Sequence, residues 1–269
     1  MRLLKYVTKR MITNPYLLFW GVGFLIFWEI IGAFVESSSI PKVVYAEEYY
    51  TASWYGIIIT LSSSALGVSI NYVLSYQTGG LPHLFRYSRL TPKYYLSSTY
   101  IGMGVVNLIL SIVMLATTYL LFGIKFGFSE AIPKSFPLLL ITALIAGLFY
   151  TALSFNLSML TLKTSRKMEN LIDFIPLVLG YLFGFSYLYA NAGYVFAFSP
   201  FSEVAMLGIS GFTGSNPPIY TIQQTNPQQT ITFVYPLLGL ILWTLALSGV
   251  AVFNLRKLYY KPLEEGKTI

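Results

Sequence analysis

The 269-residue chain contains no cysteine and only one histidine, His83. Without cysteine the chain can form no disulfide, no thiolate metal site and no cysteine nucleophile. A single histidine also argues against a metal site built from imidazoles and against a Ser-His-Asp triad. We therefore predict no metal site, no catalytic residues and no cofactor bound by this chain.

Charge is scarce as well, because Asp, Glu, Lys and Arg make up 10% of the residues whereas 55% are hydrophobic. This composition leaves too little polar surface to cover a soluble particle of this length. The apolar residues fall into runs of about 20 or more, enough for a helix to cross a hydrocarbon core of about 30 Å. Because lipid offers backbone amides no partner, the runs are expected to be helical. We predict an all-α polytopic membrane protein with transmembrane helices at residues 16–35, 54–76, 98–122, 136–162, 171–190 and 233–253.

The distribution of positive charge predicts the orientation of these helices. Of the 17 Lys and Arg residues, all but Lys42, Lys125 and Lys134 lie in four segments: the N-terminus and the segments after the second, fourth and sixth runs. By the positive-inside rule both termini face the cytoplasm, in a multi-pass protein of the cell (plasma) membrane. Topology and contact with anionic lipid then explain the net charge of +7, so the lipid bilayer is an expected partner and nucleic acid is not.

The N-terminal segment, residues 1–14, is typical of a helix lying in the membrane interface. Leu3, Val7 and Met11 recur at helical spacing, with basic residues on the other side. Asn14 and Pro15 then suit the cap and first turn of the next helix. A basic juxtamembrane segment without a defined helix is the alternative.

Glu29 lies inside the first apolar run, where an ionised carboxylate costs about 2.5 to 3.5 kcal/mol. It is either an ion or substrate contact, or a structural glutamate that is protonated or hydrogen-bonded near the outer end of the helix. We favour the structural interpretation, because no other run contains a basic residue to pair with it.

The loop at residues 77–97 combines a break at Gly79-Gly80-Leu81-Pro82, a basic amphipathic stretch and Thr91-Pro92, a cap and proline that start the next helix. It resembles the loop of permease subunits of type-2 ABC transporters that carries a short coupling helix. That family shows a pattern like Gly-Thr-x-Glu-x-Leu followed by Ser-Pro-x-Ser-x-x-x-Tyr-Leu. The acidic positions of the pattern are absent here. The matching residues are Gly79 or Gly80, Leu84, Phe85, Ser88, Arg89, Leu90, Thr91, Pro92, Tyr95 and Leu96.

The resemblance extends over essentially the whole chain. An interfacial helix, six spans and a long outer segment at 191–232 are similar to one such permease, and residues 199–205 look like the family's Asn-Pro-Leu-Thr element after a re-entrant helix pair. The resemblance implies two permeases, identical or paralogous, that form a pathway as a dimer. A separate ABC ATPase subunit would bind ATP and Mg²⁺, and this chain contains no G-x-x-x-x-G-K-[ST] phosphate-binding loop.

The resemblance further implies that two cytoplasmic segments transmit the motion of the ATPase to the spans. The second of these segments has two interpretations. Either Asn170 caps a helix with Asp173 in its first turn, or Glu169 and Asp173 dock the partner. The candidate coupling residues are Leu84, Phe85, Arg86, Ser88, Arg89, Leu90, Lys93, Arg166, Glu169 and Asp173.

Pathway candidates come from the second and fifth runs, which border the route in the family. Thr60, Ser64 and Asn71 recur near helical spacing in the second run, and such small polar residues either allow close helix packing or face water. Packing is the default interpretation. Phe183 and Phe185 in the fifth run are more typical of packing too, although they would suit a bulky amphipathic or sugar-bearing cargo.

The favoured hypothesis is the permease of an ATP-driven exporter, a transport protein and not an enzyme. An ATP-independent carrier or channel is the alternative, but it would be expected to show embedded charge, broken helices or an inverted repeat, and only Glu29 fits. An intramembrane enzyme would need a catalytic constellation at one depth, for which candidates are scarce.

Overall fold

The computed structural model describes residues 2–78, 80–161, 166–189, 194–219 and 230–259. These residues are mainly helical and contain no named strand, with an isolated bridge between Pro218 and Thr230. Six of the described helical segments are long and apolar enough to cross a membrane, which confirms the all-helical, six-span prediction. These spans, numbered first to sixth, are Pro15–Ser39, Val44–Ser75, Pro92–Phe126, Phe136–Thr161, Met168–Phe185 and Val234–Leu255.

The first and fifth spans each contain a π-helical segment, at Phe19–Gly23 and Gly180–Phe185, and a 3-10 turn at Glu36–Ser39 ends the first. The α-helices are α1 (Arg2–Ile12), α2 (Pro15–Leu18), α3 (Phe24–Phe34), α4 (Val44–Thr78), α5 (Leu81–Tyr87), α6 (Pro92–Phe126), α7 (Phe136–Thr161), α8 (Arg166–Leu179), α9 (Ser186–Tyr189), α10 (Tyr194–Ala197), α11 (Pro200–Thr213) and α12 (Val234–Tyr259).

Two helix starts are capped as the sequence predicts. The side chain of Asn14 accepts a hydrogen bond of 3.1 Å from the backbone N–H of Tyr16. Thr91 accepts one of 3.2 Å from that of Tyr94, and in both helices a proline occupies the first turn. Each cap satisfies a backbone donor that the helix leaves without an internal partner.

The prediction that Asn170 caps a helix is wrong. Helix α8 begins at Arg166, so Asn170 lies a full turn inside it. The residues before Asn170 are Arg, Lys, Met and Glu, which all favour helix, and they extend the helix toward its N-terminus.

Two helices are longer than the predicted spans 54–76 and 98–122. Helix α4 covers Val44–Thr78 and α6 covers Pro92–Phe126. The added turns contain Tyr, Thr, Glu and Lys, which a hydrophobicity criterion rejects although they form helix readily beyond the hydrocarbon. Some predicted positions lie outside the described residues. These are the span ends at 162 and at 190, Gly79, and part of the outer segment 191–232.

Successive spans run in opposite directions. Asn107 of α6 donates a hydrogen bond of 2.7 Å to the carbonyl of Ala143 in α7, and Tyr100 stacks on Phe155, so residue numbers fall in one helix as they rise in the other. The first and second spans show the same antiparallel pairing. So do the second and fifth, where Thr60 lies beside Gly184 and Ser64 beside Gly180. The start of the first span and Arg10 therefore lie at the same end of the bundle. We call this end the basic end.

The second span lies at the centre of the bundle, where it packs against α7, α11 and α6. Every residue of α11 is buried, although α11 is not one of the six spans. A Cβ on Gly56 would lie 2.9 Å from the carbonyl oxygen of Ala205, so only glycine allows α4 and α11 to approach this closely. The first and fifth spans flank the second on the remaining side.

Candidate functional site

Two cavities lie between the first and fifth spans, with the second span as their floor. The one farther from the basic end has a volume of about 530 Å³. Its walls are almost entirely apolar, with Glu36 as the one charged residue of the lining. They include Trp20, Phe24, Trp28, Trp54, Ile58, Leu61, Leu177, Tyr181, Leu182 and Phe185.

The cavity at the basic end has a volume of about 600 Å³ and a mixed polar and aromatic lining. The end of α1, the start of the first span, α4 and α8 all contribute to it. Its lining includes Arg10, Thr13, Asn14, Tyr16, Ser69, Tyr72, Asn170, Asp173 and Phe174.

Both cavities lie along the same faces of the same helices. In the fifth span the lining positions are 170, 173, 174, 177, 178, 181, 182 and 185, which recur every three to four residues. Such spacing keeps side chains on one face of a helix. Between the cavities, Gly21 of the first span packs against Leu17 and Ala65. We call the whole feature the 1-2-5 groove.

The polar part of the groove holds a buried hydroxyl with no hydrogen-bond partner among the described residues. This is the Oγ of Ser69, whose side chain is only 1% exposed. Asp173 is also buried, and its Oδ1 accepts a hydrogen bond of 3.4 Å from Ser75. Arg10 is exposed and faces the same cavity, so opposite charges line one site.

The predicted pathway residues of the second span point into the bundle. Thr60 donates a hydrogen bond of 2.8 Å to the carbonyl of Gly56, and Asn71 donates one of 3.3 Å to that of Ile172. Ser64 likewise bonds within the bundle, and all three side chains are fully buried. Their role in transport stays a prediction, and the geometry assigns each a packing contact.

The two aromatic candidates of the fifth span differ in position. Phe183 stacks on Phe201 of α11, with ring centroids 6.3 Å apart. Phe185 lines the 1-2-5 groove and stacks on Tyr181 at 4.8 Å. Of these two aromatic residues, only Phe185 thus faces the groove.

The first group of predicted coupling residues lies in and just after α5, between the second and third spans. Phe85 is buried, with its ring 6.1 Å from that of Tyr95, whereas Leu84 is 49% exposed. Ser88 is the C-cap of α5, and its hydroxyl accepts a hydrogen bond of 3.1 Å from the backbone N–H of Leu90. Arg86, Arg89 and Lys93 are exposed around it.

The second group lies on α8. Glu169 is half-buried and precedes Asp173 by one turn, so the two carboxylates share a helix face. Asp173 is turned toward Ser75 and the groove. The side chain of Arg166 lies outside the described part of the chain.

Glu29 is fully buried between the first and third spans. Its Oε1 accepts a hydrogen bond from the hydroxyl of Thr118, and its Oε2 has no partner among the residues described. Glu29 does not line either cavity of the groove. The contact with Thr118 offers a structural reason for a carboxyl group at this depth.

A second buried carboxyl group belongs to Glu203 in α11, outside the six spans. It packs against the backbone of α12 at Gly239, where any Cβ would collide with the carboxylate. Burial raises the pKa of Glu203 to about 8. The Glu203 Oε2 atom has no hydrogen-bond partner within the described ranges.

Several residues of the 1-2-5 groove were not among the residues predicted from the sequence. Trp20, Phe24 and Trp28 recur every four residues, a signal of one aromatic helix face that was available in the sequence. The contribution of Arg10, which sits outside the first span, depends on how α1 folds back on the bundle. No sequence pattern indicates that placement.

No protein-family model matches the chain, and no curated protein matches it. Among the described residues, no group of three or more His, Asp and Glu side chains is arranged to hold a metal ion.

Proposed function

We propose that this chain is the membrane-spanning permease subunit of an ATP-driven exporter of the type-2 ABC class. In this proposal both termini are cytoplasmic, α1 is an interfacial elbow helix, and a separate ATPase docks on the basic end. Two permeases, identical or paralogous, form the pathway in the plasma membrane. The observation that carries the proposal is the short helix α5.

Helix α5 has one face seated on the bundle and one face open. Leu81 and Phe85 are buried against neighbouring helices, including α12. Leu84 and Tyr87 are 49% and 75% exposed. Apolar side chains on a short helix between two spans favour a protein partner at that site. Because α5 packs directly on α12 and α4, a displacement of α5 would reach those helices.

Helix α1 supports the elbow-helix part of the proposal. Its apolar side packs on α6, where Leu4, Val7 and Thr8 surround Gly102. Lys5 and Lys9 are exposed on the other side. A helix with one packed apolar side and one basic side suits the boundary between lipid tails and headgroups.

The alternative, an ATP-independent carrier or channel, depends on charge along a pathway. Its main candidate, Glu29, is fully buried and bonded to Thr118, away from the groove. This placement favours the permease proposal.

Affinity capture from native membranes tests the proposal. Wild-type chain should retain a protein that contains a phosphate-binding loop and hydrolyses ATP. Leu84→Glu should lose that protein, because a charge replaces an apolar docking contact. Ile132→Glu is the matched control: Ile132 is 50% exposed at the other end of the bundle, and capture should be unchanged. Capture that is equal in all three samples would contradict docking on α5.

A further inference from the structure

We infer from the 1-2-5 groove that the cargo is an amphiphile with a neutral, hydroxyl-rich headgroup of the sugar type. The headgroup binds in the cavity of the basic end, and the hydrocarbon chain lies on the aromatic cavity. The inference names the substrate class of the proposed permease and rests on that proposal for transport, although binding can be measured without it.

The groove changes from polar to apolar along its length. At the basic end Arg10, Asn14 and Asp173 supply charged and amide groups. Farther along, Trp28 and Leu182 belong to a lining that is mainly apolar, with Glu36 as its one charged residue. A ligand that fills both cavities must therefore be polar at one end and apolar at the other.

The dimensions of the groove fit such a ligand. Ile58 and Ser69 belong to the two lined stretches of α4 and lie 11 residues apart. At 1.5 Å per residue this is roughly 16 Å, about half of a 30 Å hydrocarbon core. The cavities of about 530 and 600 Å³ are each in the size range of small-molecule sites, which is roughly 300 to 1,000 Å³.

The charges at the basic end select the headgroup. A purely anionic headgroup would face the carboxylate of Asp173, and a purely cationic one would face the guanidinium of Arg10. Hydroxyl groups can use both, since they donate to a carboxylate and accept from a guanidinium. The unpartnered hydroxyl of Ser69 adds a buried polar group that a ligand hydroxyl would satisfy.

Aromatic rings complete this end of the groove. Phe174 and Tyr72 line the cavity and are 45% and 52% exposed. Their flat faces can cover the apolar face of a sugar ring, while the polar side chains reach its hydroxyls. The fit between this lining and a hydroxyl-rich headgroup is what the inference depends on.

The positions of tryptophan allow a direct binding test. The chain has four tryptophans, and Trp54 is only 5% exposed yet lines the apolar cavity. A variant with Trp20→Phe, Trp28→Phe and Trp243→Phe keeps Trp54 alone. The control keeps Trp243 alone, which is 44% exposed on α12 and reports on surrounding lipid. Both are placed in phosphatidylcholine nanodiscs without any partner protein.

Three probes with the same brominated alkyl chain are titrated: a maltoside, a phosphocholine and an alcohol. We expect saturable quenching of Trp54 by the maltoside, at a concentration at least fivefold lower than for the other two. Trp243 should show non-saturating quenching that does not depend on the headgroup. Adding Asp173→Asn or Arg10→Gln should raise the half-saturating maltoside concentration about tenfold, the equivalent of about 1.4 kcal/mol for a hydrogen bond to a charged group.

Several results would overturn the inference. These are non-saturating quenching of Trp54, a preference for phosphocholine or alcohol, and half-saturation that neither headgroup-site variant changes. Protection of Trp54 that appears only when the chain dimerises would instead assign the groove to a second copy. An unchanged Trp54 emission maximum shows that each variant is folded. Because no ATPase is present, maltoside binding can hold while capture of an ATPase fails, and the reverse, so the two proposals fail separately.

Discussion

The hydroxyl groups of Ser64 and Tyr150 lie 2.6 Å apart and join the second span to the fourth. Both hydroxyls also lie within hydrogen-bond distance of the carbonyl of Thr60, that of Ser64 at 2.8 Å and that of Tyr150 at 3.4 Å. Both residues are fully buried, and Gly180 of the fifth span leaves room for Ser64. A serine that the sequence offers as a pathway candidate thus lies where three spans meet.

Removing this hydrogen bond should weaken the bundle modestly. Tyr150→Phe and Ser64→Ala should each lower the free energy of unfolding by about 0.6 kcal/mol, the mean for hydrogen bonds between membrane helices, and by at most about 1.7 kcal/mol. Unfolding by SDS in bicelles measures the effect. The double variant should cost less than the sum of the single variants, because both remove the same bond. Strict additivity would show that the two hydroxyls do not interact.

Gly147 lies at a close contact between the third and fourth spans. A Cβ there would lie 2.7 Å from the Cβ of Asn107 and 3.1 Å from the Cα of Gly104. Gly147→Ala should therefore lower the free energy of unfolding by about 1 to 3 kcal/mol, since part of the obstacle is backbone. The bicelle unfolding assay measures this effect too.

Gly249→Ala is the matched control for that substitution. Gly249 is also a helical glycine, but a Cβ built on it meets nothing within 4 Å in the described structure. Its replacement should leave stability unchanged or raise it by up to about 1 kcal/mol, because alanine favours helix. Equal losses from both substitutions would mean that the contact at Gly147 does not limit packing.

Glu203 should make stability depend on pH. Its pKa is raised from 4.5 to about 8 by burial, so between these values the unfolded chain binds fewer protons than the folded chain. Stability should then fall as pH rises from 5 to 8. Melting temperatures in detergent should show this fall for the wild type. Glu203→Gln should make this fall shallower, and an equally steep fall in that variant would assign the pH dependence to other groups.

The orientation can be tested because the chain has no cysteine of its own. Tyr87 is 75% exposed near the basic end, and Ile132 is 50% exposed between the third and fourth spans. In intact cells, a membrane-impermeant maleimide should label Ile132→Cys and not Tyr87→Cys. Permeabilised cells should label both. The reverse pattern in intact cells would place the basic end outside.

Features that depend on local sequence could be predicted. The six spans follow from the length of apolar runs, and the caps at Asn14 and Thr91 follow from residue types that compete for backbone donors. The short helix α5 falls in the loop where the sequence resemblance expects one. Each of these features is decided by residues close together in the chain.

Features that depend on contacts between distant residues could not be predicted. Nothing near Glu29 identifies Thr118 as its partner, because the two are brought together by the packing of the first and third spans. The complete burial of α11 depends on glycine contacts with α4 and α12. The 1-2-5 groove likewise appears only when three helices and the end of α1 are placed together.

In the proposed mechanism, a separate ATPase drives this chain through α5. The most direct measurement is the rate of ATP hydrolysis by the captured ATPase in lipid nanodiscs, with and without this chain. We predict that the wild type and Ile132→Glu change the rate of ATP hydrolysis to the same extent. With Leu84→Glu, the rate should equal that of the ATPase alone. An isolated chain that moves solute across a liposome membrane without nucleotide, or an ATPase rate unaffected by the wild-type chain, would contradict the claim.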